Sequence, residues 1–228
     1  MELYLIRHGN MTGDPHLHAE PPVEGCLSET GERQAAALAA ALADVRFDLV
    51  YASPLGRAVQ TAQALADPRG LTVGTLPWLV EWRPAPELMG ADNAKFEEMM
   101  KAAGEIPPEQ TWKTFAGEGV CDMAGRIIPG FLKLMAAHGA AARHGGYVLD
   151  DPDDDTRIAL VGHGGSLGVL LAFFLGIPIN PRSVIGFTET GTAVVHFRRR
   201  IDVWYPVLRI DPPAPQAGRS PAIQEETV

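Results

Sequence analysis

The sequence of 228 residues predicts an α/β fold, a three-layer α/β/α sandwich built on a mostly parallel sheet. Two observations lead to this prediction. Short apolar runs alternate with helix-like segments near both ends of the chain, which is typical of βαβ units. Three of these runs end abruptly in polar or Gly residues, as strands do where an open parallel sheet forms a ligand crevice at their carboxyl ends.

The first third of the chain contains two such units. Residues 3–6 form an apolar run bounded by charge and Gly, which indicates a buried strand. A Pro- and Gly-rich loop comes next, and Ser28 or Thr30 can then cap an Ala-rich helix that extends to about Ala43. The alternation continues with a second strand, a second helix and a weaker third strand, at residues 47–51, 57–66 and 71–76.

Residues 83–147 break this alternation, because they are rich in Met, Pro and Gly. They predict two helices, near residues 92–103 and 122–138, and Pro129 lies where it would kink or split the second. We interpret the segment as a helical insertion of the same domain, over the active-site edge of the sheet.

The last third returns to the first pattern. Residues 157–161 form another buried strand, and an apolar helix extends from there to about Leu175. The final strands are predicted at residues 192–197 and 203–208. The acidic run 150–155 offers oxygen ligands of the kind that calcium prefers, but it lacks the EF-hand spacing and is interpreted as a solvated turn.

Length and composition indicate one domain. The chain is 46% hydrophobic and 21% charged, as in globular proteins. We expect a folded domain over residues 1–210 and a flexible tail over 211–228, where Pro, Ala, Gln, Ser and Glu dominate.

The charge and the apolar pattern limit the class of partner. A net charge of −9 argues against a general binder of nucleic acid or anionic membranes, since both need a positive surface. A small anionic substrate stays compatible with this net charge, because it responds to the local field of a cleft.

The longest apolar stretch, residues 167–179, is too short and too interrupted for a membrane span. With no signal peptide and only Cys26 and Cys121, we expect a cytoplasmic protein, with homo-oligomerisation left open.

Three polar segments come directly after predicted strands and carry the chemistry. They are Arg7-His8-Gly9, Ser53-Pro-Leu-Gly-Arg57 and Gly162-His163-Gly164-Gly165. Because the carboxyl ends of parallel strands share one edge, two arginines and two histidines are expected in one pocket. Arginines offer paired donors to phosphate oxygens, the amides of the Gly-rich turn attract anions, and a neutral imidazole can attack phosphorus. The sequence therefore predicts a site for a phosphoryl group.

These segments, in this order, resemble the histidine phosphatase superfamily, the phosphoglycerate mutase-like proteins. Four segments carry the resemblance: Leu5-Ile-Arg7-His8-Gly9, Leu27-Ser-Glu-Thr-Gly31-Glu-Arg-Gln34-Ala, Ala52-Ser-Pro-Leu-Gly-Arg57-Ala-Val-Gln-Thr-Ala62 and Val161-Gly-His163-Gly-Gly. The resemblance implies a phosphohistidine mechanism. His8 would be the nucleophile, and Arg7, Arg57 and His163 would bind the phosphoryl oxygens.

The family's proton donor is an acidic residue in the middle of the chain, and Glu81 is the matching candidate. Glu87 competes with it, but Glu81 lies directly after the third predicted strand and is favoured. Neither a metal nor another cofactor is expected, since arginines supply the positive charge. The expected partner is a small phosphorylated substrate.

The loop after His8 departs from the family pattern. Asn10 can still donate to a phosphate oxygen, as can the backbone of Gly164, but Asp14 at the usual Asn position would repel one. His16 and His18 belong to an insertion-like stretch. We interpret them as part of an ordinary exposed loop, with a metal site or a contact to the far end of the substrate as alternatives.

Hydrolysis of a phosphomonoester is favoured over a mutase reaction. The family's mutases carry extra basic residues in the middle of the chain, and residues 81–138 here hold few. Four large apolar residues of this part either line a substrate pocket or simply pack the insertion onto the sheet: Trp78, Trp82, Met89 and Trp112.

Two other classes of function compete with this interpretation. Gly164-Gly-Ser166-Leu-Gly168 has the G-x-S-x-G pattern of a hydrolase nucleophile elbow, with Glu189 and His196 as the available triad partners. That interpretation leaves the two arginines and His8 unexplained. A module that only binds a phosphorylated ligand is the second alternative.

Overall fold

The computed structural model describes residues 1–12, 26–88, 93–104, 113–114, 116–143, 145–177, 186–200 and 203–210. Its strands are β1 Glu2–Arg7, β2 Leu49–Ala52, β3 Val73–Thr75, β4 Lys113–Thr114, β5 Gly117–Glu118, β6 Ala140–Arg143, β7 Gly146–Leu149, β8 Arg157–Gly162, β9 Thr192–Arg200 and β10 Val203–Ile210. Its helices are α1 Glu29–Ala41, α2 Gly56–Ala66, α3 Asn93–Gly104, α4 Val120–Ala137 and α5 Gly164–Leu175.

The main sheet has eight strands in the order β3-β2-β8-β1-β9-β10-β7-β6. The first four strands in this order are parallel to one another, and β9, β10, β7 and β6 continue the sheet with antiparallel pairings. The α/β class is confirmed, but the prediction of a mostly parallel sheet is wrong. The sheet is mixed, because β9 pairs antiparallel with β1, and β10 and then the hairpin β6–β7 extend the sheet from β9 with further antiparallel pairings.

Helices cover both faces of the sheet. The α1–α2 face buries one apolar cluster, and the α4–α5 face buries a second, larger one. The first cluster includes Ile6, Leu38, Val50, Ala62, Leu65 and Val161. The second includes Leu5, Ile127, Phe131, Leu160, Leu170 and Val195. Strands β1 and β8 supply both clusters by alternation, which is why their sequences are continuous apolar runs.

The segment interpreted as a helical insertion is partly sheet. Helix α4 runs unbroken through Pro129 and packs on the sheet as a core helix. After Gly139, at φ +75°, the chain forms the hairpin β6–β7, which extends the sheet beyond β10. Strand β6 has the sequence Ala-Ala-Ala-Arg, a composition that favours helix, so local propensity does not predict this edge strand.

Several sequence predictions concern residues outside the described ranges. These are the tail at 211–228, the loop with Asp14, His16 and His18, and the side chains Met89 and Trp112. In the described part of the chain, residues 150–155 form a mostly exposed turn, and no three His, Cys, Asp or Glu side chains come together as a metal site. No helix there combines the length and apolar character needed to cross a bilayer.

Helix α1 packs its backbone directly against the segment after β1. Ser28 is the N-cap, and its Oγ accepts the N–H of Gly31 at 3.1 Å. A Cβ at Gly31 would lie 1.9 Å from the carbonyl oxygen of Asn10, so only Gly permits this approach. The helix thereby fixes the backbone next to His8.

Two helical glycines give a matched test of this contact. Gly31→Ala should destabilise the protein by about 1–3 kcal/mol, because the added methyl group forces backbone apart. Gly125→Ala in α4 meets nothing within 4 Å and should stabilise it by about 0.5–1 kcal/mol through helix propensity. Urea unfolding measures both changes, and a Gly31→Ala variant as stable as the wild type would contradict the close packing.

Candidate active site

The residues of the candidate site follow three parallel strands and lie at one edge of the sheet. Strand β8 lies between β1 and β2, with Gly162 in register with Arg7 and Val161 in register with Ala52. The residues after these strands therefore emerge side by side. His8 N–H donates to the carbonyl of Gly162 at 3.0 Å, and Ser53 N–H donates to that of Val161 at 2.9 Å.

One N–H of Arg57 joins the two histidines. Arg57 Nε lies 3.2 Å from His8 Nε2 and 3.3 Å from His163 Nδ1, and the two imidazole rings are 4.9 Å apart. All three side chains are buried, at 7% exposure for His8, 5% for Arg57 and none for His163. Both ring nitrogens accept this N–H, so neither carries a proton.

The other ring nitrogens fix both tautomers. His8 Nδ1 donates to the carbonyl oxygen of Gly9 at 2.7 Å, and His163 Nε2 donates to Ser53 Oγ at 2.8 Å. The Gly9 N–H in turn donates to Thr61 Oγ1 at 3.1 Å, which anchors that peptide to α2. His8 Nε2 is therefore the unprotonated nitrogen of the ring, as a nucleophile requires, and it lies next to Arg57 Nε.

His8 is also held uncharged. Burial, with smaller effects from Arg57 and Arg7, lowers the pKa of His8 to about 3. The imidazole is neutral at physiological pH, and the neutral form is the nucleophilic one.

Arg7 and the start of α5 offer donors to an anion. Arg7 Nη1 donates to the carbonyl of Phe187 at 2.6 Å, while its buried Nε has no hydrogen-bond partner in the described part of the chain. A Cβ at Gly164 would lie 4.0 Å from that Nε, so the unpartnered donor faces the first turn of α5. The first amides of a helix have no intrahelical acceptor. Arg7 Nε and the backbone of Gly164 therefore lie close together at the start of α5.

Glu81, the predicted proton donor, contacts the same helix start. Its Oε2 accepts the N–H of Gly165 at 3.0 Å, and its Oε1 accepts the N–H of Trp82 at 2.8 Å. A Cβ at position 165 would lie 2.3 Å from Oε1, so Gly165, which has no side chain, leaves room for the Glu81 carboxylate. The competing candidate, Glu87, is exposed in the turn Pro86–Leu88.

Asn10 contacts a carboxylate, although the sequence predicted it as a phosphate ligand. Its Nδ2 donates to Glu189 Oε1 at 2.9 Å, and its Oδ1 accepts from Ser28 at 2.6 Å. Gln34 Nε2 donates to the other oxygen of Glu189 at 2.9 Å. The side-chain amide of Asn10 is therefore hydrogen-bonded to Glu189 and Ser28 in this structure.

Glu189 is the acidic neighbour that the sequence did not place here. Burial raises the pKa of its carboxyl, but the hydrogen bonds from Gln34 and Asn10 and the charge of Arg7 outweigh burial and lower it. It reaches this edge because β9 is antiparallel to β1, so residues before β9 lie where β1 ends. The sequence does not reveal that β9 is antiparallel to β1, and this direction is what places Glu189 at the edge.

The serine elbow predicted as a rival is not assembled. Ser166 Oγ is buried, accepts the N–H of His163 at 3.2 Å and so caps α5. His196 lies on β9 with its Nδ1 2.8 Å from Glu2 Oε1, and Glu189 is held by Asn10 and Gln34. The proposed triad is wrong.

A family model for the histidine phosphatase superfamily, branch 1, matches residues 3–204. The chain belongs to this superfamily. The match covers all three strand-end segments and the Glu81 loop, so the resemblance of the sequence motifs is confirmed.

The chain is similar to curated relatives of at least two kinds. The chain is 28% identical over 180 residues to a probable phosphoglycerate mutase GpmB of Erwinia tasmaniensis, covering 79% of this chain and 77% of the relative. It is 29% identical over 215 residues to a glucosyl-3-phosphoglycerate phosphatase of Mycobacterium tuberculosis, covering 89% and 93%. Similarity to both kinds leaves the choice between phosphatase and mutase to the charges around the pocket.

Solved structures show the same fold. A mycobacterial glucosyl-3-phosphoglycerate phosphatase in complex with inorganic phosphate is 25% identical, with a TM-score of 0.68 over 96% of this chain and 99% of that one. YhfR of Bacillus stearothermophilus has a TM-score of 0.68 over 91% and 95% at 20% identity, which supports the fold alone.

The low pKa of His8 predicts a pH dependence of stability. Unfolded His8 takes up a proton below its ordinary pKa of 6.5, while folded His8 stays neutral to about 3. The unfolded state then binds more protons, so the free energy of unfolding falls as the pH falls through this window. Between about pH 6 and 4.5, wild type should lose about 2 kcal/mol more than His8→Asn. Urea unfolding at both pH values measures this, and parallel profiles would count against a buried neutral imidazole.

Proposed function

We propose that this protein hydrolyses small phosphomonoesters through a phosphohistidine intermediate on His8. The observation that carries the proposal is the state of His8: its Nδ1 is tied to the carbonyl of Gly9 and its Nε2 points at the Nε of Arg57. A neutral imidazole with one unprotonated nitrogen beside cationic donors is suited to attack at phosphorus once a substrate replaces it as the acceptor of the Arg57 N–H.

In the first step, His8 Nε2 forms a bond to phosphorus as the ester P–O bond breaks. Arg7, Arg57 and the N–H of Gly164 donate to the three remaining oxygens and stabilise their charge, while His163, which accepts the Nε–H of Arg57, orients that guanidinium rather than donating to an oxygen. Glu81, in its carboxylic acid form, gives its proton to the leaving oxygen and becomes a carboxylate. The products of this step are the free alcohol and phospho-His8.

In the second step, water attacks the phosphorus of phospho-His8. The Glu81 carboxylate takes a proton from that water, the P–N bond breaks, and inorganic phosphate leaves. His8 is neutral again and Glu81 is again an acid, so the cycle closes with every proton accounted for. The chain's own side chains and backbone amides supply the groups that act on the substrate and on the attacking water in this scheme.

Charges around the pocket favour hydrolysis over a mutase reaction. A mutase substrate of this kind carries a second anionic group, which needs further cationic partners. Arg126 is already bound to Glu118 at 2.7 Å, and Arg83, Lys95, Lys101 and Lys133 are exposed. Glu189 adds a negative charge beside Arg7. The phosphate-bound relative supports a small phosphorylated substrate, and that relative's substrate is one candidate for this chain.

The nucleophile is tested with a panel of phosphoesters that includes 4-nitrophenyl phosphate, an alkyl phosphate, 3-phosphoglycerate and glucosyl-3-phosphoglycerate. His8→Asn should lower phosphate release by at least about 1,000-fold, because the variant lacks the nitrogen that carries the phosphoryl group. Ser166→Ala, a matched change of a buried cap, should retain most of the activity.

Loss of activity in Ser166→Ala with activity kept in His8→Asn would overturn the proposal. Conversion of 3-phosphoglycerate to its isomer without release of phosphate would identify a mutase, and binding without turnover a binding module.

The proton donor is tested by the leaving group. Glu81→Gln should lower kcat/KM, which reports formation of phospho-His8 and not its hydrolysis, by about 100-fold or more for the alkyl phosphate and by less than about 10-fold for 4-nitrophenyl phosphate, since nitrophenolate leaves without a proton. Glu87→Gln is the matched control and should change neither rate. Equal slowing of both substrates by Glu81→Gln would remove Glu81 from this role.

A further inference from the structure

Arg126 of α4 uses all of its hydrogen-bond donors on Glu118 and on the backbone of the segment that ends at Glu81. Its Nε and Nη2 bind the two oxygens of Glu118 at 2.9 and 2.7 Å. Its Nη1 donates to the carbonyls of Trp78 at 2.7 Å and Val80 at 2.9 Å, and Nη2 donates to that of Glu81 at 2.9 Å. The Arg126 and Glu118 side chains are only 15% and 14% exposed.

Glu118, the partner of Arg126, holds the other side of the same segment. Its Oε2 accepts the N–H of Arg83 at 3.1 Å, and its carbonyl accepts from Trp82 Nε1 at 2.6 Å. Arg126 therefore fixes the backbone up to Glu81, and Glu118 fixes the backbone directly after it. The Arg126–Glu118 ion pair joins these two sets of contacts, and we call the pair with its contacts to residues 78–83 the Arg126–Glu118 clamp.

The backbone at Glu81 depends on this clamp because it lies outside the sheet. Strand β3 ends at Thr75, and the turn Pro77–Leu79 is the last regular structure before Glu81. A guanidinium presents five N–H groups in one rigid plane, a geometry that a lysine cannot reproduce. The direction of the Glu81 carboxylate depends on the peptide that Arg126 holds.

We propose that Arg126 is the positioning residue for the proton donor: it sets the place of the Glu81 carboxylate over the start of α5 without touching the substrate. This inference rests on the proposed function, since it presumes that Glu81 protonates the leaving oxygen. A carboxyl group displaced by about 1 Å loses much of its catalytic effect, and the loss falls on substrates that need the proton.

The experiment compares alkyl phosphate and 4-nitrophenyl phosphate turnover in the full chain. Arg126→Met should lower the ratio of alkyl to nitrophenyl kcat/KM by about 10-fold or more, and added guanidinium ion should restore part of it. Arg126→Lys, which keeps a cation in the buried site, should give a smaller fall in the same direction. Combining Arg126→Met with Glu81→Gln should add no further change in the ratio, because both act through one proton transfer.

Arg69 provides the matched control for a merely structural effect. It too donates to backbone carbonyls, those of Leu42, Val45 and Leu65, but at the far end of α2. Arg69→Met should lower the thermal stability and leave the substrate ratio unchanged.

The outcomes separate this inference from the proposed function. If the ratio of alkyl to nitrophenyl kcat/KM falls in Glu81→Gln but not in Arg126→Met or Arg126→Lys, only the positioning role of Arg126 is overturned. A ratio unchanged in Glu81→Gln and in both Arg126 variants overturns the proton-donor role with it. An equal fall in Arg69→Met and Arg126→Met overturns the inference as well, because destabilisation would then explain both.

Discussion

The arrangement of the site depends on a single N–H group, the Nε–H of Arg57, which two imidazole nitrogens share. This contact requires the ends of three parallel strands and the first turn of α2 to meet at one point. It also determines the chemistry, because a nitrogen that accepts from Arg57 cannot carry a proton. With Nδ1 of His8 bound to a carbonyl, only Nε2 is left to react. Burial of His8 then keeps that nitrogen uncharged.

The parallel half of the fold and the centre of the site could be predicted from the sequence. The apolar runs before His8, Ser53 and His163 are long enough to indicate buried strands, and parallel strands bring the residues after them to one edge. Ser28 could be predicted as a cap from its residue type. These predictions hold because each depends on local sequence and on one general rule of sheet geometry.

The rest depended on information that a local pattern does not contain. The hairpin β6–β7 has a composition that favours helix, and its pairing with β10 decides its structure. Glu189 joins Asn10 because β9 is antiparallel, and nothing in the sequence states the direction of a strand. Arg126 lies 45 residues after Glu81, and only the packing of α4 on the sheet brings its side chain to that backbone. The middle of the chain is therefore part of the core and also supports the site.

Identification of the phosphorylated nitrogen tests the central claim most directly. Protein labelled with ¹⁵N in its histidine rings is mixed with a phosphomonoester, quenched in alkali and examined by ³¹P–¹⁵N correlation NMR. We predict a phosphorus atom bonded to Nε2 of a single histidine, absent from His8→Asn. Phosphorus on Nδ1 of His8, on His163 or on oxygen would contradict this mechanism, in which the unprotonated Nε2 of His8 attacks phosphorus while its Nδ1 stays bound to the carbonyl of Gly9.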